Sequence, residues 1–199
     1  MKILCLYNNT CAVELFEWIR GQGHETVYCS EVLNEAWCRE QKFDLTVSYT
    51  YRYILKQNVL EALNHNAVNI HNAYLPWNRG ADPNMWSIAE DTPRGVTIHY
   101  MDASLDKGCI IAQRMVEKKE GETLKSSYDA LDRAAKELFR EIFPFYKNWP
   151  EMKKIPLGMG SYHSLKDGER IKSVIDSYDM TTAEFKERLL NVLYQSGRK

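Results

Sequence analysis

The chain has 199 residues, 44% of them hydrophobic and 12% aromatic, enough to bury one sizeable core with a small appendage. A formal net charge of -1 offers no general electrostatic attraction to nucleic acid or to an anionic membrane. Five cysteines, Cys5, Cys11, Cys29, Cys38 and Cys109, lack C-x-x-C or zinc-finger spacing and point to reduced thiols in a cytoplasmic protein. In chain order, Met1 to Tyr7 is too short for a signal h-region and reads as a first strand from Lys2 to Tyr7. No run of ~18 apolar residues follows, so no membrane span is expected. The turn Tyr7-Asn8-Asn9-Thr10-Cys11-Ala12 has no glycine, which excludes a G-x-G-x-x-G fingerprint and a P-loop. Without small residues the backbone cannot wrap a pyrophosphate, and this argues against a nicotinamide enzyme.

Ala12 to Ile19 carries apolar residues at helical spacing and predicts a helix stopped near Gly21 and Gly23. His24 to Cys29 predicts a second strand, Leu33 to Gln41 a short helix, and Phe43 to Tyr49 a third strand. Val59 to Leu63 adds a helical turn or two before the strand Ala67 to His71. Strands alternating with helices imply α/β architecture: a Rossmann-like, mostly parallel twisted sheet with flanking helices. Ligands in such sheets sit beyond the carboxyl ends of the strands.

The stretch from Ala67 to Gly108 carries the chemistry. In Ala67-Val68-Asn69-Ile70-His71, period-two alternation turns Val68 and Ile70 to one face and Asn69 and His71 to the other. The loop from Leu75 to Pro83 and a strand from Gly95 to Met101 lead into Asp102-Ala103-Ser104-Leu105-Asp106-Lys107-Gly108. Cys109 to Val116 predicts a strand that pairs with Gly95 to Met101 across that loop. Thr123 to Asn148 is the longest helical run, with Thr123 as N-cap and Pro144 kinking or ending it. Pro150 to Pro156 reads as a connection. The organisation expected is a catalytic domain over 1–150 and a short C-terminal appendage over 151–199 that shapes a binding wall or a dimer contact.

An amide, an imidazole and a carboxylate at one sheet end suit acyl transfer to an amine. The Asn69 amide and the His71 N–H would face a developing oxyanion, and Asp106 would take the proton shed by the amine. Taken singly, each has a plainer reading: Asn69 as a strand-end hydrogen bonder, His71 as a satisfied buried histidine, Asp106 as a turn former. No histidine spacing matches a metal site, and none is expected.

Asn69-Ile70-His71, Leu75-Pro76, Arg79-Gly80, Pro83, Gly95-Val96-Thr97-Ile98-His99 and Leu105-Asp106-Lys107-Gly108 together resemble the formyltransferases that use N10-formyltetrahydrofolate. The likeness runs over roughly 43–116 and matches the family's Asn-x-His pair and distant Asp at Asn69, His71 and Asp106. The resemblance implies formyl transfer with N10-formyltetrahydrofolate as co-substrate. It places Tyr53, Ile54, Leu55, Met101 and Asp102 around the pterin ring, while Tyr49 departs from the small residue common in the family. Among acceptors, methionyl-tRNA implies a further C-terminal domain and a basic surface, and glycinamide ribonucleotide implies a Gly-rich first loop. The expectation is a UDP- or dTDP-linked deoxyamino sugar, with Arg79, Gly80, Trp77, Trp86 and Tyr162 on the nucleotide-sugar side. A formyl-folate hydrolase, a glycinamide ribonucleotide enzyme and a non-catalytic folate- or nucleotide-binding module stay open as alternatives.

Overall fold

The computed structural model describes residues 1–156 and 158–196. Two compact units form. The first comprises Met1–His71, Thr97–Gln113 and Lys136–Pro156; the second comprises Asn72–Val96, Arg114–Ala135 and the described residues after 157.

The first unit is built on a sheet. Its strands are β1 (Lys2–Leu6), β2 (Glu25–Cys29), β3 (Leu45–Tyr49) and β4 (Ala67–His71), followed, after a two-residue β5 (Arg79–Gly80) outside the sheet, by β6 (Gly95–Tyr100) and β7 (Ile110–Met115). The order is β2-β1-β3-β4-β6-β7. Pairing is parallel from β2 through β4 and antiparallel between β4 and β6. The Tyr100 N–H donates to the Cys109 carbonyl at 2.9 Å, as in a hairpin between β6 and β7. The sheet is therefore mixed, parallel from β2 through β4 with an antiparallel edge, and fits the expected α/β architecture. The connection after Tyr100 is short enough for a direct reversal, which a parallel crossover is not.

Helices α1 (Val13–Gly21), α2 (Glu35–Gln41) and α3 (Gln57–Ala62) connect the parallel strands. The side chain of Asn34 caps α2 by accepting from the Trp37 N–H at 3.1 Å, and Lys42 at φ 54° ends it. All five residues of β3 are buried, including Thr46 and Ser48, because both faces of the parallel half are covered. Leu4, Leu6, Leu55, Leu60 and Leu63 share one cluster with Cys38 and Phe43, and Met101 packs against it.

In the second unit β5 pairs in parallel with β8 (Tyr162–His163). A Cβ at Gly80 would stand 2.2 Å from the His163 carbonyl oxygen, so the two segments approach as closely as glycine allows. Helix α4 (Pro83–Ala89) starts with Pro at its first position. The sequence reading ended its loop at Pro83 and assigned no element to residues 84–94. The long helix α5 (Leu124–Ile142) is capped by Thr123, whose hydroxyl accepts from the Ser126 N–H at 3.1 Å, and gives way at Phe143–Asn148 to a 3-10 segment containing Pro144. Then come α6 (Trp149–Met152), α7 (Leu165–Lys172) and α8 (Thr182–Ser196). Helix α7 opens on a Ser164/Asp167 capping box that the sequence reading passed over. Ile88, Leu124, Ile171, Met180, Phe185 and Leu189 form the second unit's core. Arg94 is sealed in the same unit, 2.5 Å from Glu122 and 2.7 Å from the Ser127 hydroxyl.

Candidate functional site

Strand register assembles the site. Asn69 on β4 lies directly opposite Ser48 on β3 and His99 on β6, so three polar side chains form one row across the sheet. The Ser48 hydroxyl donates to Asn69 Oδ1 at 2.9 Å, which turns the Asn69 amino group toward His99 Nε2 at 3.4 Å. His99 Nδ1 lies 2.9 Å from the Tyr100 carbonyl. A carbonyl only accepts, so in the neutral ring the proton sits on Nδ1 and Nε2 offers its lone pair to Asn69. His71, two residues beyond Asn69, lies on the same face.

The carboxylate arrives from the loop after β6. Asp106 Oδ2 lies 3.7 Å from His71 Nε2, and Oδ1 lies 3.6 Å from His99 Nε2, with all three side chains at most 10% exposed. The His71 and His99 rings stand edge to face, 6.2 Å apart. Asp106 has φ 52°, a left-handed conformation that aspartate tolerates better than most residues. Two residues on, a Cβ at Gly108 would stand 1.7 Å from the Tyr100 carbonyl oxygen. Only glycine lets the loop lie flat against the end of β6, and that fit sets where Asp106 points.

Asn69, His71 and Asp106 are thus brought together as the sequence anticipated. His99 joins them, although the sequence reading gave it no role. Its signal was present in Val96-Thr97-Ile98-His99, where alternation puts Thr97 and His99 on one face.

A cleft of about 550 Å³ also opens in the first unit. Tyr53, Ile54 and Leu55 line it, with Tyr51, Lys56 and the segment from Val32 to Arg39. Met101 and Asp102 are not among its walls: Met101 packs on the core cluster, and Asp102 caps the Ser104 N–H at 2.8 Å. The Tyr51 and Tyr53 rings meet edge to face at 5.3 Å. Burial pushes the Tyr51 phenol up to about 12. At the rim, hydrogen bonds from Asn58 and then Arg39 hold the Glu35 carboxyl below its usual range.

In the second unit Arg79 and Gly80 pair with Tyr162 and His163. The Arg79 guanidinium donates to the Ser161 carbonyl at 3.3 Å and the Met159 carbonyl at 3.4 Å. Trp86 stacks on the His163 ring, centroids 3.8 Å apart, and Trp77 and Tyr162 keep substantial exposure. Arg79, Gly80, Trp86 and Tyr162 therefore belong to one local cluster. Trp77 stands just before it in the chain. Among the described residues no group of three or more His, Cys, Asp or Glu is placed to hold a metal ion, and no helix is long and apolar enough to cross a membrane.

Comparison with known proteins gives the geometry a family. Residues 23–143 match the family model described as formyl transferase. A methionyl-tRNA formyltransferase of Myxococcus xanthus is 37% identical over 119 residues, 59% of this chain, and the chain spans only 38% of that protein. A dTDP-4-amino-4,6-dideoxyglucose formyltransferase of Mycobacterium bovis is 30% identical over 158 residues, 79% of this chain and 67% of that protein. Among solved structures, the formyltransferase PseJ from Anoxybacillus kamchatkensis, in complex with UDP-4,6-dideoxy-4-formamido-L-AltNAc and tetrahydrofolate, superposes with a TM-score of 0.84 at 36% identity. The match covers 93% of this chain and 97% of that one.

Proposed function

The chain belongs to the formyl transferase family, and on that premise we propose that it moves a formyl group from N10-formyltetrahydrofolate to the amino group of a nucleotide-linked deoxyamino sugar. The observation that carries the reading is the Asp106 carboxylate, buried within 3.7 Å of two imidazoles, one of which, His99, also meets the Asn69 amide. Asn69 and His71 present N–H groups to the formyl oxygen as negative charge develops on it, each such donor contributing roughly 3–4 kcal/mol to barrier lowering. Asp106 accepts the proton that the attacking amine sheds as its C–N bond forms, and returns a proton to N10 as the old C–N bond breaks. At 3.6–3.7 Å from both rings, the carboxylate interacts electrostatically with each.

Tyr53, Ile54 and Leu55 are assigned to the folate, in a cleft whose aromatic and aliphatic walls match a flat ring. Arg79, Gly80, Trp77, Trp86 and Tyr162 are assigned to the nucleotide sugar: the exposed Trp77 and Tyr162 rings suit a base or sugar, and a guanidinium suits a diphosphate. The PseJ complex carries a UDP-linked 4-formamido sugar, which makes UDP-linked 4-amino sugars the first substrates to try. The cytoplasm is the compartment that its five scattered cysteines fit.

The test is to incubate the chain with N10-formyltetrahydrofolate and a panel of UDP- and dTDP-amino sugars and to follow the mass gain of one formyl group. Formate released without acceptor would mark a hydrolase instead. Neither product nor formate with any member of the panel would sink the reading.

A further inference from the structure

Strand β1 runs between β2 and β3, so three parallel strands end side by side. Beyond those ends, the side chain of Asn8 continues the ladder. Its Nδ2 donates to the Ser30 carbonyl at 2.8 Å, just past β2, and its Oδ1 accepts from the Arg52 N–H at 2.9 Å, just past β3. Both halves of the amide are used in opposite directions, which a carboxylate cannot do. Neighbouring bonds tighten the same seam. The Asn9 N–H donates to the Thr50 hydroxyl at 3.1 Å, and the Tyr51 hydroxyl donates to the Glu31 carbonyl at 2.6 Å. Thr50 itself sits at φ 63°, a left-handed backbone that β-branched residues rarely adopt. Immediately after these tied residues the chain becomes the two walls of the cleft, Val32 to Arg39 on one side and Tyr53 to Val59 on the other.

We propose that Asn8 is a positioning residue for the formyl donor: its carboxamide sets the spacing of the two cleft walls and thereby places Tyr53, Ile54 and Leu55 against the folate. This rests on the folate reading of that segment. Asn8 bonds to Ser30 and Arg52, each just ahead of a cleft wall, so it governs donor binding and leaves the chemical step alone.

The experiment measures tetrahydrofolate binding by calorimetry and steady-state formyl transfer for Asn8→Asp, Asn8→Ala and Tyr51→Phe. Asn8→Asp keeps the size but turns a carboxylate oxygen toward the Ser30 carbonyl. The expected result is an increase of about five- to tenfold in tetrahydrofolate Kd and in KM for the formyl donor, the worth of about one net hydrogen bond. The KM for the sugar and kcat at saturating donor stay unchanged. Tyr51→Phe, which spares Asn8 and removes one tie between the walls, moves the same constants in the same direction. Unaltered tetrahydrofolate affinity in Asn8→Asp would overturn the assignment. So would parallel losses in both KM values, kcat and Tm, the mark of a merely structural role. Absence of tetrahydrofolate binding by the unsubstituted chain would instead overturn the folate reading itself, and the assignment with it.

Discussion

Replacing Gly108 with alanine tests how the site is held together. A Cβ there would lie 1.7 Å from the Tyr100 carbonyl oxygen, whereas real Cβ atoms essentially never come within 3.0 Å of a neighbour. The loop therefore has to retreat by the difference, about 1.3 Å, and the atom it meets is backbone of β6, which is tied to Cys109 by the Tyr100 N–H and cannot swing aside as a side chain would. Asp106 is two residues away on the same loop and moves with it. A misplacement of about 1 Å in a catalytic group costs on the order of 100-fold in rate, so Gly108→Ala should lower kcat by about that factor. Overpacking should also remove about 1–3 kcal/mol of stability. The assay is formyl-transfer kinetics at saturating substrates, with urea unfolding alongside. Gly21→Ala, where nothing lies within 4 Å of the added carbon, is the control and should leave kcat unchanged. A kcat for Gly108→Ala within about threefold of the unsubstituted chain would refute the claim that this contact positions Asp106.

Asp106→Asn removes the proton acceptor while keeping the shape, and should reduce kcat by about 10²–10⁴-fold with little change in sugar KM; a loss confined to KM would assign Asp106 to binding. Glu122→Gln leaves the Arg94 guanidinium, 1% exposed in its side chain, without its charge partner, and should cost about 3–5 kcal/mol in urea unfolding. A cost under about 1 kcal/mol would mean that Ser127 and the neighbouring carbonyls suffice. Burial, and next the hydrogen bond to Glu17, pushes the Tyr28 phenol up to about 12, and burial does the same for Tyr51. Since the folded chain holds these protons more tightly than the unfolded one, their contribution is intact below pH 10 and is lost as pH rises toward about 12. In a phenolate absorbance titration, Tyr51→Phe should remove amplitude from the late phase; amplitude missing near pH 10 would contradict the assignment.

The parallel half of the sheet was legible because each of its strands is a short apolar or alternating run closed by polar residues, as in Leu45 to Tyr49. Helix α4 was not, since seven residues opening on Asp82-Pro83 look like a turn, and its apolar members Ile88 and Met85 find their partners in α7 and α8 and the segment between them, far along the chain. The same distance hid the pairing of Arg79 and Gly80 with Tyr162 and His163.

What the sequence determined alone is local: alternation in Ala67 to His71 sends Asn69 and His71 to one face, and the glycine-bearing Leu105 to Gly108 loop brings a carboxylate to the end of the next strand. What only the tertiary structure decided is the cross-strand register, because which residue of β3 or β6 lies opposite Asn69 depends on pairing between segments up to 30 residues apart. That register put His99 between Asn69 and Asp106 and Ser48 behind the Asn69 amide, and a slip of one residue would have turned every one of those groups to the other face.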